Sequence, residues 1–180
     1  MYPASTLTSW ADETWPAPEP DQILPGLWQG GTPDDEVIGH AAPDGHYAGI
    51  RGWAPKYPFD LVVTLYADAQ PAPWGVREYR YGFPDGPLAE PDAQQAIGLA
   101  RLAHDVWSTG DRVLIRCQAG VNRSGLVSAL VLMLAGYPAN EAIDLLRLRR
   151  GSMVLCNEGF ETWLRSHATR LLASDRGAAA

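Results

Sequence analysis

The chain has 180 residues, of which 46% are hydrophobic and 19% charged, and its net charge is −7. This length and composition are typical of one globular domain, and the acidic balance argues against a general nucleic-acid or anionic-membrane surface. The two cysteines exclude a disulfide framework and predict free thiols in a reducing compartment, so we expect a cytoplasmic protein. No secretory signal is predicted, since the N-terminus lacks a basic stretch followed by an apolar core. No membrane span is predicted, since no apolar run reaches about 18 residues.

Both ends of the chain have the composition of tails. Residues 1–20 are rich in proline and acidic residues towards their end, and we expect a mobile acidic tail there. Residues 173–180 end in three alanines, and we expect a disordered tail. A single domain is predicted between them, over residues 21–172.

Strands and helices alternate along this domain. Apolar and β-branched runs predict strands over 23–29, 59–66, 76–81 and 112–116. Helical periodicity predicts helices over 91–109, 124–135, 139–150 and 157–172. The alternation predicts an α/β fold, with a central, mostly parallel sheet of about four to five strands flanked by helices. We predict no element for residues 31–58, a stretch long enough to be a functional loop.

The segment around Cys117 indicates chemistry. An apolar strand delivers Cys117 into a short loop with Gly120 at its centre, and Arg123 stands where the next helix begins. Such a loop gathers backbone N–H groups at a helix N-terminus, where the macrodipole favours an anion. Arg123 adds a planar fork of donors that matches two phosphate oxygens, and the same donors would stabilise a thiolate. The pattern therefore predicts an enzyme that takes a phosphoryl group onto sulfur.

Each of these residues also has a plain structural interpretation. A cysteine at a strand end is most often a small buried hydrophobe, and an arginine at a helix start is often only solvated. The glycine between them, with the strand before and the helix after, favours the catalytic interpretation.

The run Cys-Gln-Ala-Gly-Val-Asn-Arg-Ser at 117–124 resembles the signature loop of the cysteine-based protein tyrosine phosphatase superfamily. Further segments resemble its dual-specificity branch in the family's order, over roughly residues 21–170. These are an opening strand at 23–30, a central strand at 59–65, an acid loop at 83–88, an arginine-rich pair at 149–150 and Asn-x-Gly-Phe at 157–160. The resemblance implies a phosphatase-type three-layer domain. It also implies hydrolysis of phosphotyrosine in proteins, and of phosphoserine and phosphothreonine, through a cysteinyl-phosphate.

The resemblance and the chemistry together assign roles to single residues. Cys117 would be the nucleophile, Asp85 the general acid and Ser124 a hydrogen-bond donor to the sulfur. Asp92 is the rival for the acid. The backbone N–H groups that would bind phosphate, together with the Arg123 side chain, belong to Gln118, Ala119, Gly120, Val121, Asn122 and Arg123. Asn157 would tie a nearby loop to the signature loop. No cofactor and no metal is expected, since the histidines show no ligand-like spacing.

Two positions depart from the family's pattern. Arg116 stands where the family has His before the nucleophile; it keeps a positive charge, although alternation along a strand can turn its side chain away. Cys156 stands where the family has Pro; we expect a buried inert thiol, with a disulfide to oxidised Cys117 as the alternative. Arg149 and Arg150 are interpreted as charges that complement a helix C-terminus.

The expected partner is a phosphorylated protein, and we expect a monomer. The neutral loop positions and the acidic net charge favour this substrate over polyanions. Trp53, Tyr57, Trp74 and Phe83 are candidates for stacking on a phosphotyrosine ring, against the plainer role of packing or surface residues. Two alternatives stay open: a phosphatase of a non-protein substrate, such as a phosphoinositide or an RNA 5′ end, and a phosphate-binding module without activity.

Overall fold

The computed structural model describes residues 16–33 and 59–168. Within them lie five strands: β1 (Asp21–Leu24), β2 (Leu27–Gly30), β3 (Leu61–Thr64), β4 (Arg77–Arg80) and β5 (Val113–Arg116). The helices are α1 (Glu90–Ser108), α2 (Arg123–Leu134), α3 (Ala139–Arg150) and α4 (Glu158–Trp163), and α4 continues into a π-helical turn at Leu164–Ala168. The predicted strands and helices fall at these places, apart from the differences described below.

The five strands form one mixed sheet in the order β1-β2-β5-β3-β4. β1 pairs antiparallel with β2, and all other pairs are parallel. β5 lies at the centre, with β2 on one side and β3 on the other, and its four residues are all buried. A parallel strand covered on both faces has a continuous apolar sequence, as Val113, Leu114 and Ile115 do. The predicted α/β class with a mostly parallel sheet of four to five strands, flanked by helices, is confirmed.

The described helices pack on one face of the sheet. The main core joins Leu61 and Val63 of β3 and Ile115 of β5 to apolar residues of all four helices. α2 is apolar on nearly every side because it lies between α1 and α3. Phe59, Val62 and Leu114 form a separate small cluster on the opposite face. A helix layer on that second face, which the three-layer prediction requires, is not among the described residues.

The predicted strand at 23–29 is wrong in one respect. The structure breaks it at Pro25-Gly26, where Gly26 has a φ of 81°, into the antiparallel hairpin of β1 and β2. Pro followed by Gly is a turn signal, and the positive φ is open to glycine at no steric cost. The last predicted helix also differs, because its α-helical part ends at Trp163 and residues 169–172 lie outside the described chain.

Candidate active site

Cys117 directly follows the central strand and is buried, with 1% of its surface exposed. Its Sγ lies 3.3 Å from Oγ of Ser124, in the first turn of α2. When the thiol is ionised, the hydroxyl is the partner that must donate this hydrogen bond. The carbonyl oxygen of Cys117 accepts a hydrogen bond of 2.9 Å from the Thr32 hydroxyl, which fixes the start of the loop. The structure therefore brings the predicted nucleophile and the predicted donor together.

The loop that follows Cys117 carries free backbone donors. The N–H groups of residues 118–122 find no acceptor within residues 16–33 and 59–168. A backbone N–H is a strong donor that needs an acceptor when it leaves water, and this loop ends at the N-terminus of a 12-residue helix, α2. Gln118 and Ala119 are exposed, whereas Gly120, Val121 and Asn122 are buried. The loop therefore has the backbone donors of an anion-binding site, and its second half is buried in the domain.

Gly120 shapes the loop. Its φ is 71°, in the left-handed region, and a Cβ built on it would stand 2.5 Å from the carbonyl carbon of Gly30. No side chain fits there without moving the backbone. The carbonyl oxygen of Gly120 accepts hydrogen bonds from Nε2 of Gln29 at 2.9 Å and from Nε of Arg150 at 2.6 Å. Side chains of β2 and α3 therefore fix the position of the loop at Gly120.

Arg150 corrects the sequence-based interpretation of a helix-terminal charge. Its side chain is fully buried, and it forms an ion pair of 2.8 Å with Asp21. The guanidinium also donates to five carbonyl oxygens, those of Gly120, Ala119, Gln29, Glu19 and Ala17. Burial lowers the pKa of Arg150, while Asp21 and the charge of Cys117 act to raise it. Arg150 is thus a buried cation packed against the loop at 117–123 (the cysteine loop), whereas its neighbour Arg149 is exposed.

These contacts also bind the last part of the predicted N-terminal tail. Ala17 and Glu19 accept hydrogen bonds of 2.9 Å from Arg150, and the N–H of Gly31 donates to Pro18 at 2.8 Å. Residues 17–19 are therefore part of the folded domain. Residues 1–15 of the predicted tail, and the C-terminal tail at 173–180, lie outside the described residues.

Arg123 begins α2 with its guanidinium held in a fixed orientation. Nη1 donates to the carbonyl oxygens of Leu65 and Phe83 at 3.3 and 3.2 Å, and Nη2 donates to Oε1 of Gln118 at 3.4 Å. The guanidinium carbon lies 5.5 Å from the centre of the Tyr66 ring. The Nε atom is buried and has no partner among the described residues. A buried guanidinium with an unused donor is suited to a bound oxyanion.

Asp85 is bound to the cysteine loop and to the start of α4. Its Oδ2 accepts from Nδ2 of Asn122 at 3.1 Å, and its Oδ1 accepts from Nδ2 of Asn157 at 3.0 Å. Asn157 also caps α4, since its Oδ1 accepts from the N–H groups of the first helical turn. Asp92, the rival acid, instead accepts a hydrogen bond of 2.8 Å from the Tyr81 hydroxyl. Of the two carboxylates, the structure joins Asp85 to the loop that carries Cys117.

Arg116 points to the sheet face opposite Cys117. Its side chain is buried, where it donates to the Thr64 hydroxyl at 3.0 Å and to the carbonyl oxygen of Gln70 and forms an ion pair with Glu78. Burial raises the pKa of Glu78, but hydrogen bonds from Thr64 and the Ala72 N–H lower it. The guanidinium groups of Arg80 and Arg116 lower it further, so the net shift is downward. The charge of Arg116 is therefore matched by Glu78 behind the sheet.

Cys156 is exposed, which corrects the expectation of a buried thiol. It stands in the turn before α4, and its Sγ donates a hydrogen bond of 3.4 Å to Oδ1 of Asn122. Both cysteines are free thiols in the structure.

An open cleft of about 280 Å³ lies beside Arg123. The residues that line it are Tyr66, Ala67, Asp68, Gly82, Phe83, Pro84 and Arg123. Trp74 is fully exposed just before β4 begins, at the end of the sheet away from Cys117, so it fits the surface role and not the cleft. Trp53 and Tyr57 lie outside the described residues.

The described part of the chain offers no group of three or more His, Cys, Asp or Glu side chains that could hold a metal ion. None of its helices is long and apolar enough to cross a membrane.

The segment that carries this site is similar to known proteins. Residues 98–170, which include Cys117, Arg123 and Asn157, match the family described as the dual specificity phosphatase catalytic domain. Over 73 residues the chain is 34% identical to a protein of Invertebrate iridescent virus 6 named "Putative tyrosine phosphatase 123R". That match covers 36% of this chain and 51% of the viral protein, so the chain spans about half the length of this curated relative.

Solved structures share the fold. Human DUSP28 superimposes with a TM-score of 0.67 and 19% identity, over 88% of this chain and 99% of that one. OH1 from the Orf virus, described as a tyrosine phosphatase with triple substrate specificity, superimposes with a TM-score of 0.58 and 20% identity, over 83% of this chain and 86% of that one. The family match over residues 98–170 agrees with the resemblance of the sequence to the dual-specificity branch, and these structures show that the chain shares their fold.

Proposed function

We propose that this protein hydrolyses phosphate monoesters through a cysteinyl-phosphate, with phosphotyrosine in proteins as its substrate. The observation that carries the proposal is the loop at 117–124. This strand-to-helix connection holds a thiol within reach of a hydroxyl, backbone N–H groups and a buried guanidinium. Neither the N–H groups of residues 118–122 nor the Nε of Arg123 has a partner among the described residues. The match of residues 98–170 to the dual specificity phosphatase catalytic domain supports a phosphatase of this class.

In the first step the Cys117 thiolate attacks phosphorus, an S–P bond forms and the ester P–O bond breaks. The three remaining oxygens of the phosphoryl group accept from the loop N–H groups and from Arg123, which stabilise the charge of the transition state. Asp85, when protonated, gives its proton to the departing oxygen, so the product leaves as a neutral alcohol or phenol.

In the second step water attacks phosphorus and the S–P bond breaks. Asp85, now a carboxylate, takes the proton from the water, and inorganic phosphate is released. The sulfur departs as a thiolate, and the Ser124 hydroxyl stabilises it by donating a hydrogen bond. The cycle returns Cys117 and Asp85 to their starting states without any metal.

The cleft beside Arg123 supports phosphotyrosine as the substrate. Its walls include the rings of Tyr66 and Phe83 and the ring of Pro84, against which an aromatic substrate can pack. Asp68 adds a negative charge to the same cleft, and a polyanion such as an inositol phosphate would meet that charge together with the net charge of −7.

The test is kcat/KM on matched phosphotyrosyl and phosphoseryl peptides and on a phosphoinositide, at one salt concentration, with Cys117→Ser as the inactive control. We expect the phosphotyrosyl peptide to be turned over fastest. A preference for the inositol lipid of about tenfold or more, which is about 1.4 kcal/mol, would overturn the protein substrate. Binding of phosphate without turnover of any of these esters would indicate a phosphate-binding module.

A further inference from the structure

The side chain of Asn122 joins three separate segments of the active site. It is buried, with 7% of its surface exposed, and stands immediately before Arg123. Its Nδ2 donates to Asp85 of the acid loop at 3.1 Å. Its Oδ1 accepts from the N–H of Asn157 at 3.0 Å and from the Cys156 thiol at 3.4 Å. The cysteine loop, the acid loop and the start of α4 thus meet at one amide.

The contacts also fix which way the amide faces. The N–H of Asn157 is a backbone group that can only donate, so the atom 3.0 Å from it must be the amide oxygen. The amide nitrogen is then the atom that faces Asp85, whose carboxylate oxygens can accept. Each half of the Asn122 amide therefore has a separate partner, and the two halves can be tested apart.

We propose that Asn122 is a positioning residue for the general acid, an inference that rests on the proposed function of Asp85. The exposed acid loop is attached to the cysteine loop through this amide, and Asn157 holds the second carboxylate oxygen. Each oxygen accepts one N–H, which leaves a further lone pair that can carry the proton for the leaving group. Asn122 thereby sets the distance between the proton donor and the phosphoryl group held by the next residue, Arg123.

Substitution of each half of the amide separates positioning from structural support. Asn122→Asp keeps an oxygen that can accept from Asn157 but removes the donor to Asp85 and sets a like charge against it. Asn122→Ala removes both halves. Asn140→Ala is the matched control, because Asn140 lies at the start of α3 and bonds to Arg165. The readout is kcat on a series of aryl phosphates that runs from nitrophenyl phosphate to phenyl phosphate.

We expect both Asn122 variants to lose about tenfold to a hundredfold of kcat on phenyl phosphate, the scale of a misplaced catalytic group, and little on nitrophenyl phosphate. The control should match the unmodified protein on both. A charge added beside the phosphate-binding loop N–H groups and Arg123 slows the hydrolysis of every ester alike. Only a loss of kcat that grows with the basicity of the leaving group therefore reports on the acid. In an Asp85→Ala background, Asn122→Ala should cause no further loss of this kind.

Vanadate affinity shows whether the phosphate-binding loop of each variant is intact, and the thermal transition shows whether its fold is intact. Asn122→Asp keeps the test valid if Asn122→Ala does not fold. Equal losses on all esters, or a full additional loss in the Asp85→Ala background, would overturn the positioning role alone. If Asp85→Ala itself has no dependence on the leaving group, the proposed acid is wrong and this inference fails with it.

Discussion

Arg150 ends α3, yet its Nε lies 2.6 Å from the carbonyl oxygen of Gly120, thirty residues earlier in the chain. The contact sets a buried cation directly beneath the loop that holds Cys117. Because Gly120 is in the left-handed region and its carbonyl oxygen accepts from both Arg150 and Gln29, the shape of the loop depends on these two residues.

Replacement of Arg150 by Met should destabilise the protein and lower its activity. The substitution leaves five buried or partly buried carbonyl oxygens without this donor, and we expect a loss of about 3 kcal/mol in the free energy of unfolding. Urea unfolding measures it. Arg149→Met is the matched control, since Arg149 is exposed and should tolerate the change. Equal stability of the two variants would contradict the role given to Arg150.

Cys117→Ser should abolish turnover while the protein still binds phosphate or vanadate. The hydroxyl lacks the nucleophilicity of a thiolate, but the loop N–H groups and Arg123 remain in place. Steady-state kinetics and a binding titration measure the two effects. Activity above about a hundredth of the original would exclude a covalent intermediate on this residue.

Arg123→Lys should lose both turnover and phosphate affinity, although it keeps the charge. The guanidinium is fixed by Leu65 and Phe83 through Nη1, which leaves Nε for the ligand. A lysine ammonium is a point charge and cannot reproduce that planar geometry. Vanadate inhibition constants compare the two proteins, and a mild loss of vanadate affinity would contradict the role of Arg123 in binding phosphate.

Asp85→Ala should lower kcat on poor leaving groups by about a hundredfold, the usual contribution of a general acid. Activated aryl phosphates should be affected much less. Asp92→Ala should be mild, because Asp92 bonds to Tyr81 and not to the cysteine loop. The reverse ranking of the two variants on phenyl phosphate would transfer the acid role to Asp92.

Glu78→Gln should weaken the fold at neutral pH and matter less in acid. The pKa of Glu78 is lower in the folded protein than its ordinary value of 4.5, so its ionised form contributes stability above that pH. This contribution is lost as the pH falls through the folded pKa. Urea unfolding of both proteins at about pH 7 and about pH 3.5 should therefore give a difference that shrinks in acid. A difference that stays constant would contradict the role of the ionised carboxylate.

The sequence predicts the loop and its helix well because Cys117, Gly120, Arg123 and Ser124 are close neighbours in the chain, and local geometry decides where they lie. Arg150 could not be assigned in this way, since its partners stand up to 133 residues away and a helix-terminal arginine has the same local pattern. Alternation along β5 indicates that Arg116 points away from Cys117, but it cannot supply Glu78 as the partner. The hairpin at Pro25-Gly26 was open to prediction from its turn residues.

The attachment of residues 17–19 to Arg150 bears on how the domain can be cut. A fragment that starts at residue 21, where the sequence suggests the domain begins, would lack the carbonyl oxygens of Ala17 and Glu19 and the acceptor for Gly31. Water would then have to accept the hydrogen bonds of the Gly31 N–H and of Arg150, the side chain that also bonds to Gly120. The N-terminal limit of an expressible folded unit therefore lies ahead of its first strand, before residue 17.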